Sequence, residues 1–177
     1  MSFSLFPLRP VVPLIMVLGA ITLGGCETTT TDQYQASAIT TYTWYVDYEP
    51  QGQGGADRPP RIEEFGSTSL ENKNGQQPPG AVGDPDDQGL WWPNTPPRPT
   101  VDELEARQGR QERMGRPRLQ RTVDYRVTLR LPGEENRVLS ARYETYRQVV
   151  KAYEDRVPLE FVMDPTETII TKARPAY

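Results

Sequence analysis

The sequence has no histidine and only one cysteine, Cys26. Histidine is the side chain whose ordinary pKa lies nearest neutral pH. Cysteine supplies thiolate nucleophiles, disulfides and the soft ligands of zinc sites. The composition therefore excludes histidine-based acid–base catalysis, disulfides within the chain and metal sites built from cysteine and histidine. We expect no metal, no cofactor and no enzymatic activity.

An excess of positive charge is also lacking, since 20 basic residues stand against 24 acidic residues. From Thr122 to the end of the chain, nine acidic side chains are matched by nine basic ones. Nucleic-acid binding depends on a basic face that neutralises phosphates. The balance of charge therefore predicts no nucleic-acid partner.

The longest hydrophobic run, Val11 to Leu23, is too short to cross a bilayer. A spanning helix needs about 20 apolar residues, whereas the core of a signal peptide needs only about 7 to 15. The run follows a short segment with one positive charge, Arg9. Residues 1–25 are therefore predicted to be a signal peptide. The alternative is an uncleaved N-terminal anchor with a buried Cys26 thiol.

The hydrophobic run ends in Leu23, Gly24, Gly25 and Cys26. These residues resemble the lipobox of bacterial lipoproteins. The resemblance implies cleavage before Cys26, a diacylglyceryl group on its sulfur and a fatty acid such as palmitate on its amine. Two or three acyl chains hold a protein stably at a membrane, whereas a single chain binds only marginally.

The same resemblance predicts a location in the bacterial cell envelope. An aspartate after the cysteine favours retention in the inner membrane of many lipoproteins, and this chain has Glu27 instead. We therefore expect anchoring in the outer membrane, facing the periplasm, and a protein partner within the envelope.

Two segments follow the cysteine. Residues 26–38 are polar and include four consecutive threonines, Thr28 to Thr31, which favours a tether. Residues 39–48 are predicted to be an aromatic strand, because large side chains fall on alternate positions at Tyr42, Trp44, Val46 and Tyr48. This strand pairs with a C-terminal sheet or, alternatively, presents its aromatic face to headgroups or a partner.

Residues 49–99 are predicted to be a disordered linker. The stretch from 50 to 99 contains ten prolines and eight glycines, a composition typical of chains that do not fold alone. Trp91 and Trp92 are unexpected there, because adjacent indoles would leave a large apolar area in water. They bury against the C-terminal domain or against a partner. Trp91, Trp92 and Trp44 are therefore the candidate interaction residues.

Residues 100–116 are predicted to form a short solvated helix. Thr100 and Glu103 have the spacing of a capping box, and Gly115 and Pro117 are typical of a helix end. An alternative role for the arginines between 107 and 121 is a patch for anionic lipid.

Residues 117–177 are predicted to be a small folded domain. Their hydrophobic residues are spaced two apart in some stretches, as in a strand, and about 3.6 apart in another, as in a helix. The predicted elements are strands at 123–131, 137–143, 157–163 and 168–174 and a helix at 144–154. The expected fold is α+β, with an antiparallel sheet of four to five strands and one crossing helix after the long linker. The alternative is a small SH3-like or OB-like barrel, if residues 143–153 are a bent strand.

These features favour a lipid-anchored, non-catalytic protein-interaction or assembly module. A second hypothesis is glycan or cell-wall binding through Trp44, Trp91 and Trp92, because aromatic rings stack on sugars. The third is a hydrolase that uses paired carboxylates, for instance Asp124 with Glu160, because carboxylates are the acid–base groups that remain without histidine.

Overall fold

The computed structural model describes residues 27–52 and 58–176, so Cys26 and the predicted signal peptide lie outside the described residues. The strands are β1 (Thr28–Thr31), β2 (Tyr34–Pro50), β3 (Arg61–Lys73), β4 (Glu112–Met114), β5 (Arg118–Leu129), β6 (Arg137–Ala141), β7 (Leu159–Met163) and β8 (Ile169–Pro175), and the helices are α1 (Val101–Arg107) and α2 (Tyr143–Tyr153). No helix within these ranges is long and apolar enough to cross a membrane.

All eight strands belong to one sheet of order β1-β7-β8-β6-β5-β2-β3, with β4 paired to the far end of β2. The pairs are antiparallel except β6 with β8. The sheet curls, because β1 leads through Asp32 and Gln33 directly into β2. At this corner the Arg130 N–H donates to the Gln33 carbonyl at 2.9 Å. Counted as one bent strand, β1 and β2 therefore close a circuit with β5, β6, β8 and β7.

The main hydrophobic core lies between this curled part of the sheet and α2. Tyr146 and Val149 of α2 are buried against Leu129 and Phe161 of the strands. The Tyr34 hydroxyl donates to the Val157 carbonyl at 2.7 Å, which ties the start of β2 to the segment that follows α2.

The expected small α+β fold is wrong. Within residues 27–52 and 58–176 the protein is mostly β, with eight strands in one mixed sheet and two short helices. The C-terminal strands and α2 lie close to their predicted positions, but the sheet continues past β5. It does so because β2 pairs with β5 from Tyr34 opposite Leu129 to Tyr45 opposite Arg118. The condition on which the barrel alternative rested, a bent strand at 143–153, is not met, because these residues form α2. β3 and β4 extend the sheet beyond the closed circuit of strands.

The expected fold included a disordered linker at residues 49–99, and this prediction is also wrong. It contains the whole of β3, which pairs with β2 from Tyr48 opposite Arg61 to Ser37 opposite Lys73. Residues 76–99, called the proline segment below, lie across the sheet, with Leu90 fully buried. A proline-rich chain forms no hydrophobic core of its own. Here Leu90 of the segment is instead buried in the main core, to which β2 contributes.

Two shorter predictions differ in their bounds. The region predicted to be a tether, 26–38, contains β1, which pairs with β7, and the start of β2. The capping box of Thr100 and Glu103 is present at the start of α1. The helix ends at Arg107 rather than near 116, because Gln108 is extended and the Glu112 carboxylate accepts the Gly109 N–H at 2.8 Å.

Candidate interaction surface

One face of the long strand β2 is covered along its whole length by three successive elements. Tyr34 and Ala36 contact the core beneath α2, Tyr42 contacts the proline segment, and Tyr48 contacts α1. All of these positions are even-numbered, and alternate residues of a strand share one face. We call this side the covered face. The three tryptophans that the sequence indicated as interaction residues lie on this face: Trp44 belongs to β2, and Trp91 and Trp92 belong to the proline segment.

Trp91 is held to the sheet through its backbone. The Asn72 side chain accepts the Trp91 N–H at 2.7 Å and donates to the Trp91 carbonyl at 3.0 Å. The Thr40 hydroxyl also donates to that carbonyl, at 2.8 Å. Asn72 and Thr40 are fully buried. These bonds fix the position of the proline segment on the covered face.

The Trp92 ring packs against the ring of Tyr42 on β2. Its ring centroid lies 5.0 Å from that of Tyr42, and its indole N–H donates to the Asp86 carboxylate at 2.8 Å. The Arg121 guanidinium carbon lies 5.2 Å from the centroids of both rings. Arg121 stands opposite Tyr42 in the β2–β5 pairing, which is why it reaches both rings.

Trp44 lies two residues further along β2. Its indole N–H donates to the Pro96 carbonyl at 2.9 Å, and the Arg98 guanidinium lies 6.0 Å from its ring centroid. The segment passes close to β3 here, because a Cβ added to Gly66 would lie 3.4 Å from Pro96. The three tryptophans are all half-buried. The structure thus packs them on the protein's own sheet, and their role in partner binding stays a prediction.

Tyr42, Trp44, Trp92, Arg98 and Arg121 together form what we call the arginine–aromatic surface. Within residues 27–52 and 58–176, neither of its arginines forms an ion pair. A guanidinium that lies over a ring still has its N–H edge free to bind a carboxylate through two hydrogen bonds. The surface therefore combines apolar area with donors suited to an acidic group.

Beside this surface, β3 forms the end of the sheet. Among the strands of residues 27–52 and 58–176 it pairs with β2 alone, and its last residue, Lys73, forms an isolated bridge with Gln76. The register of β3 shifts where Thr43 and Tyr45 of β2 face it, which marks a bulge near Gly66. Along its outer edge, Arg107 donates to the Glu64 carbonyl at 2.6 Å. From Phe65 to Leu70 the edge carries no charged side chain.

Two cavities lie along that outer edge. The first has a volume of about 410 Å³ and is lined by Leu70, Glu71, Lys73 and residues 76–79. The second has a volume of about 440 Å³ and is lined by Phe65, Gly66, residues 97–100, Glu103 and Arg107. Hydrogen bonds from the Thr100 N–H and hydroxyl lower the pKa of the Glu103 carboxyl, so the second cavity contains charges of both signs.

This edge was not predicted from the sequence, because residues 49–99 were predicted to be a disordered linker. One feature of the sequence does indicate strand β3. Residues 61–73 contain no proline and a single glycine, Gly66, whereas prolines and glycines are dense on both sides of them. A proline-free run of this length inside a proline-rich region indicates a strand that needs its backbone N–H groups.

The first described residue lies beside β7. The Met163 N–H donates to the Glu27 carbonyl at 2.9 Å, so one residue separates the predicted lipid attachment at Cys26 from the sheet. The pKa of the Glu27 carboxyl is raised mainly by a hydrogen bond with Glu167, although Arg137 lowers it. β2 leads away from this corner and spans at most about 56 Å over its 17 residues.

The carboxylates considered for hydrolysis are not brought together. Asp124 on β5 pairs with Arg126, and Glu160 on β7 pairs with Arg174. Strands β5 and β7 do not pair with each other, and each carboxylate is bound by an arginine of its own instead. Within the described ranges, no three histidine, cysteine, aspartate or glutamate side chains are grouped as a metal site.

The chain matches no protein-family model, and comparisons with characterised proteins and with solved structures also find no match. The function must therefore be argued from the geometry of the arginine–aromatic surface and of the β3 edge.

Proposed function

We propose that the protein is a lipid-anchored lipoprotein of the bacterial cell envelope and acts as a non-catalytic protein-interaction or assembly module. The observation that carries this proposal is the arginine–aromatic surface. Tryptophan, tyrosine and arginine are the residues most enriched at interface hot spots. Here all three types lie together, and their mutual contacts fix their positions before any partner arrives.

The anchor in this proposal is Cys26, acylated after cleavage of residues 1–25, in the outer membrane facing the periplasm. In this proposal the sheet lies next to the lipid surface, and the start of β1 at Thr28, two residues after Cys26, supports that arrangement. The arginine–aromatic surface lies further along β2, at Tyr42 and Trp44, and so faces partners away from the attachment point.

The partner in this proposal is a protein with an acidic patch. Arg98 and Arg121 have no carboxylate partner in the described chain, and each lies over an aromatic ring that excludes water from one side. Charge-assisted, bidentate bonds to carboxylates are stronger and more directional than neutral hydrogen bonds. Such a partner would also be drawn to the surface before contact by its opposite charge.

Site-specific photo-crosslinking in whole cells tests this surface. A photoreactive amino acid replaces Leu119, which lies opposite Trp44 and is 36% exposed. The control position is Thr122, on the opposite face of β5. We expect a discrete adduct at 119 that disappears in the Arg98→Glu, Arg121→Glu double variant. Equal crosslinking at 119 and 122, or an adduct that survives the charge reversal, would count against the proposal.

Glycan or cell-wall binding is the second candidate, and the partial exposure of Trp44, Trp91 and Trp92 supports it, because aromatic rings stack on sugars. Isolated wall sacculi separate the two functions. If glycans are the ligand, Trp44→Ala lowers the amount of protein that sediments with the sacculi, whereas Arg98→Glu changes it less.

A further inference from the structure

The outer edge of β3 has the features of a site for strand addition. We propose that an extended segment of a partner protein pairs with β3 and extends the sheet by one strand. This inference rests on the proposed function as an interaction module, and it names the way in which the partner binds.

The backbone of β3 supplies the first argument. A strand at the end of a sheet presents a row of unpaired N–H and C=O groups, and extended peptides bind to such rows. Proteins protect edges that must stay free with charged side chains and bulges. β3 has charged residues near both ends, at Glu63, Glu64, Glu71 and Lys73, and none from Phe65 to Leu70. The bulge near Gly66 protects one end of this interval, so the unprotected stretch is Ser67 to Leu70.

The two cavities supply the second argument, because strand addition gains its specificity from pockets for alternate side chains. Leu70 lines the first cavity and Gly66 lines the second. Four residues of extended chain separate them, a distance of about 13 Å. A partner strand would therefore place two side chains, four residues apart, into the two cavities. The apolar walls that they would contact are Leu70 and the prolines at 78 and 79 in the first cavity, and Phe65 and the prolines at 97 and 99 in the second.

Charge supplies the third argument and identifies the kind of segment that fits. Arg98 lines the second cavity and forms no ion pair within the described ranges. Arg107, in the same cavity, lies 3.5 Å from Glu63 and is thereby partly neutralised. The occupant is accordingly an extended segment with two apolar side chains at positions i and i+4 and a carboxylate at the end near Arg98.

A second copy of this chain is a poorer occupant. β3 carries three acidic and two basic residues, so two copies side by side would both be net negative. The basic residues of β3 already form ion pairs within the chain, and so they would not attract the acidic residues of a second copy. Arg61 pairs with Glu112 at 2.8 Å, and Lys73 pairs with Glu71 at 3.2 Å.

Two synthetic peptides test the inference against the mature chain that carries Cys26→Ser. Both are acetylated, are built from threonine and serine, and contain one terminal glutamate and two leucines. In the first peptide the leucines are four residues apart, and in the second they are three apart, which places them on opposite faces of a strand. Amide NMR shifts and hydrogen exchange report where each peptide binds.

We expect the first peptide to shift and protect the amides of β3 and to bind at least tenfold more tightly than the second. Leu70→Ala should weaken this binding, whereas Ser69→Ala, on the opposite face of β3, should not. Equal affinity for both peptides, or no effect on β3 amides at millimolar peptide, overturns the inference. Sedimentation as a dimer with β3 amides already protected also overturns it and assigns the edge to a second copy.

The crosslinking experiment separates failure of this inference from failure of the proposed function. If the adduct at 119 depends on the two arginines while neither peptide affects β3, the protein binds a partner by another route and strand addition alone is rejected.

Discussion

The Asn72 side chain binds the backbone of Trp91 as a neighbouring strand would. Its amide accepts the N–H of Trp91 and donates to the carbonyl of the same residue, at 2.7 and 3.0 Å. Asn72 also donates to the Ala38 carbonyl at 3.2 Å, so one buried amide joins β2, β3 and the proline segment. At Trp91, this one side chain therefore forms both of the backbone hydrogen bonds that a neighbouring strand would form.

Replacement of this amide should release the proline segment. Asn72→Ala leaves the Trp91 N–H without its partner, and an unsatisfied buried group costs about 1 to 3 kcal/mol. We expect a loss of roughly 2 kcal/mol in the free energy of unfolding and faster proteolysis within residues 76–99. Urea denaturation and limited proteolysis measure the two effects. Asn94→Ala, at an exposed position of the same segment, is the control, and equal behaviour of the two variants would contradict the role of Asn72.

Trp92→Ala should also destabilise the protein. The change removes the ring that packs on Tyr42 and the bond from the indole to Asp86. Burial of a large apolar side chain contributes about 1.5 to 3 kcal/mol, so we expect a loss of roughly 2 kcal/mol by thermal or chemical denaturation. Trp92→Phe keeps the ring contact and should recover about half of that loss. A stability unchanged in Trp92→Ala would show that the ring belongs to a partner interface instead.

Two buried tyrosines should respond in opposite ways to loss of the hydroxyl. The Tyr48 hydroxyl donates to the Leu104 carbonyl at 2.8 Å. Within residues 27–52 and 58–176 the Tyr146 hydroxyl forms no hydrogen bond of good geometry, although the Gly75 backbone lies nearby. Tyr48→Phe should cost about 1 kcal/mol, because a buried carbonyl loses its donor. Tyr146→Phe should leave stability unchanged or raise it. Urea unfolding compares them, and an equal loss in both would indicate that Tyr146 has a partner such as a buried water.

Asp164 should make stability depend on pH at the turn between β7 and β8. Hydrogen bonds from the Thr166 hydroxyl and the Ile169 N–H hold the pKa of this carboxyl at about 2, below its ordinary value of 3.8. A lowered pKa in the folded state stabilises the protein fully above the ordinary value, and this contribution is lost as the pH falls towards 2. Asp164→Asn should therefore lower the melting temperature at pH 7.

The difference in melting temperature between the wild type and Asp164→Asn should shrink between pH 4 and pH 2. Asp84→Asn, at an exposed position of the proline segment, is the matched control and should follow the wild type. A difference that persists unchanged down to pH 2 would mean that the carboxylate charge is not what stabilises the turn.

The lipid anchor has a direct chemical test. Cys26→Ser removes the sulfur that the lipobox resemblance assigns to the diacylglyceryl group. We expect the variant to lose incorporation of radiolabelled palmitate and to accumulate as an uncleaved precursor. A variant that is still labelled and processed normally would exclude Cys26 as the attachment site.

The C-terminal elements could be predicted from the sequence, because their order rests on local hydrophobic periods. Strand β5 alternates cleanly from Val123 to Leu129, and α2 has apolar residues at helical spacing. The size of the sheet could not be predicted in this way. It depends on the pairing of β2 with β3 and β5, and such long-range pairing leaves no periodic signal of its own.

The candidate site was predicted only in part. The need to bury Trp91 and Trp92 follows from their apolar area, but their location depends on Asn72, and nothing in the sequence indicates that this one asparagine is fully buried. The β3 edge was hidden by composition, because the prolines and glycines around Arg61–Lys73 dominated the prediction of disorder for that region. Composition predicts how a segment behaves in isolation, whereas β3 is ordered because it pairs with β2.

If Cys26 carries the lipid proposed above, the start of β1 only two residues later limits how the protein can meet a partner. A long tether would let the domain explore a wide hemisphere above the bilayer, at a range of heights and orientations. With Glu27 as the only residue between the attachment point and Thr28, an acylated chain has almost no slack. Its search is then essentially two-dimensional, by lateral diffusion and rotation about the membrane normal, and a partner must present its binding segment within a few nanometres of the same membrane.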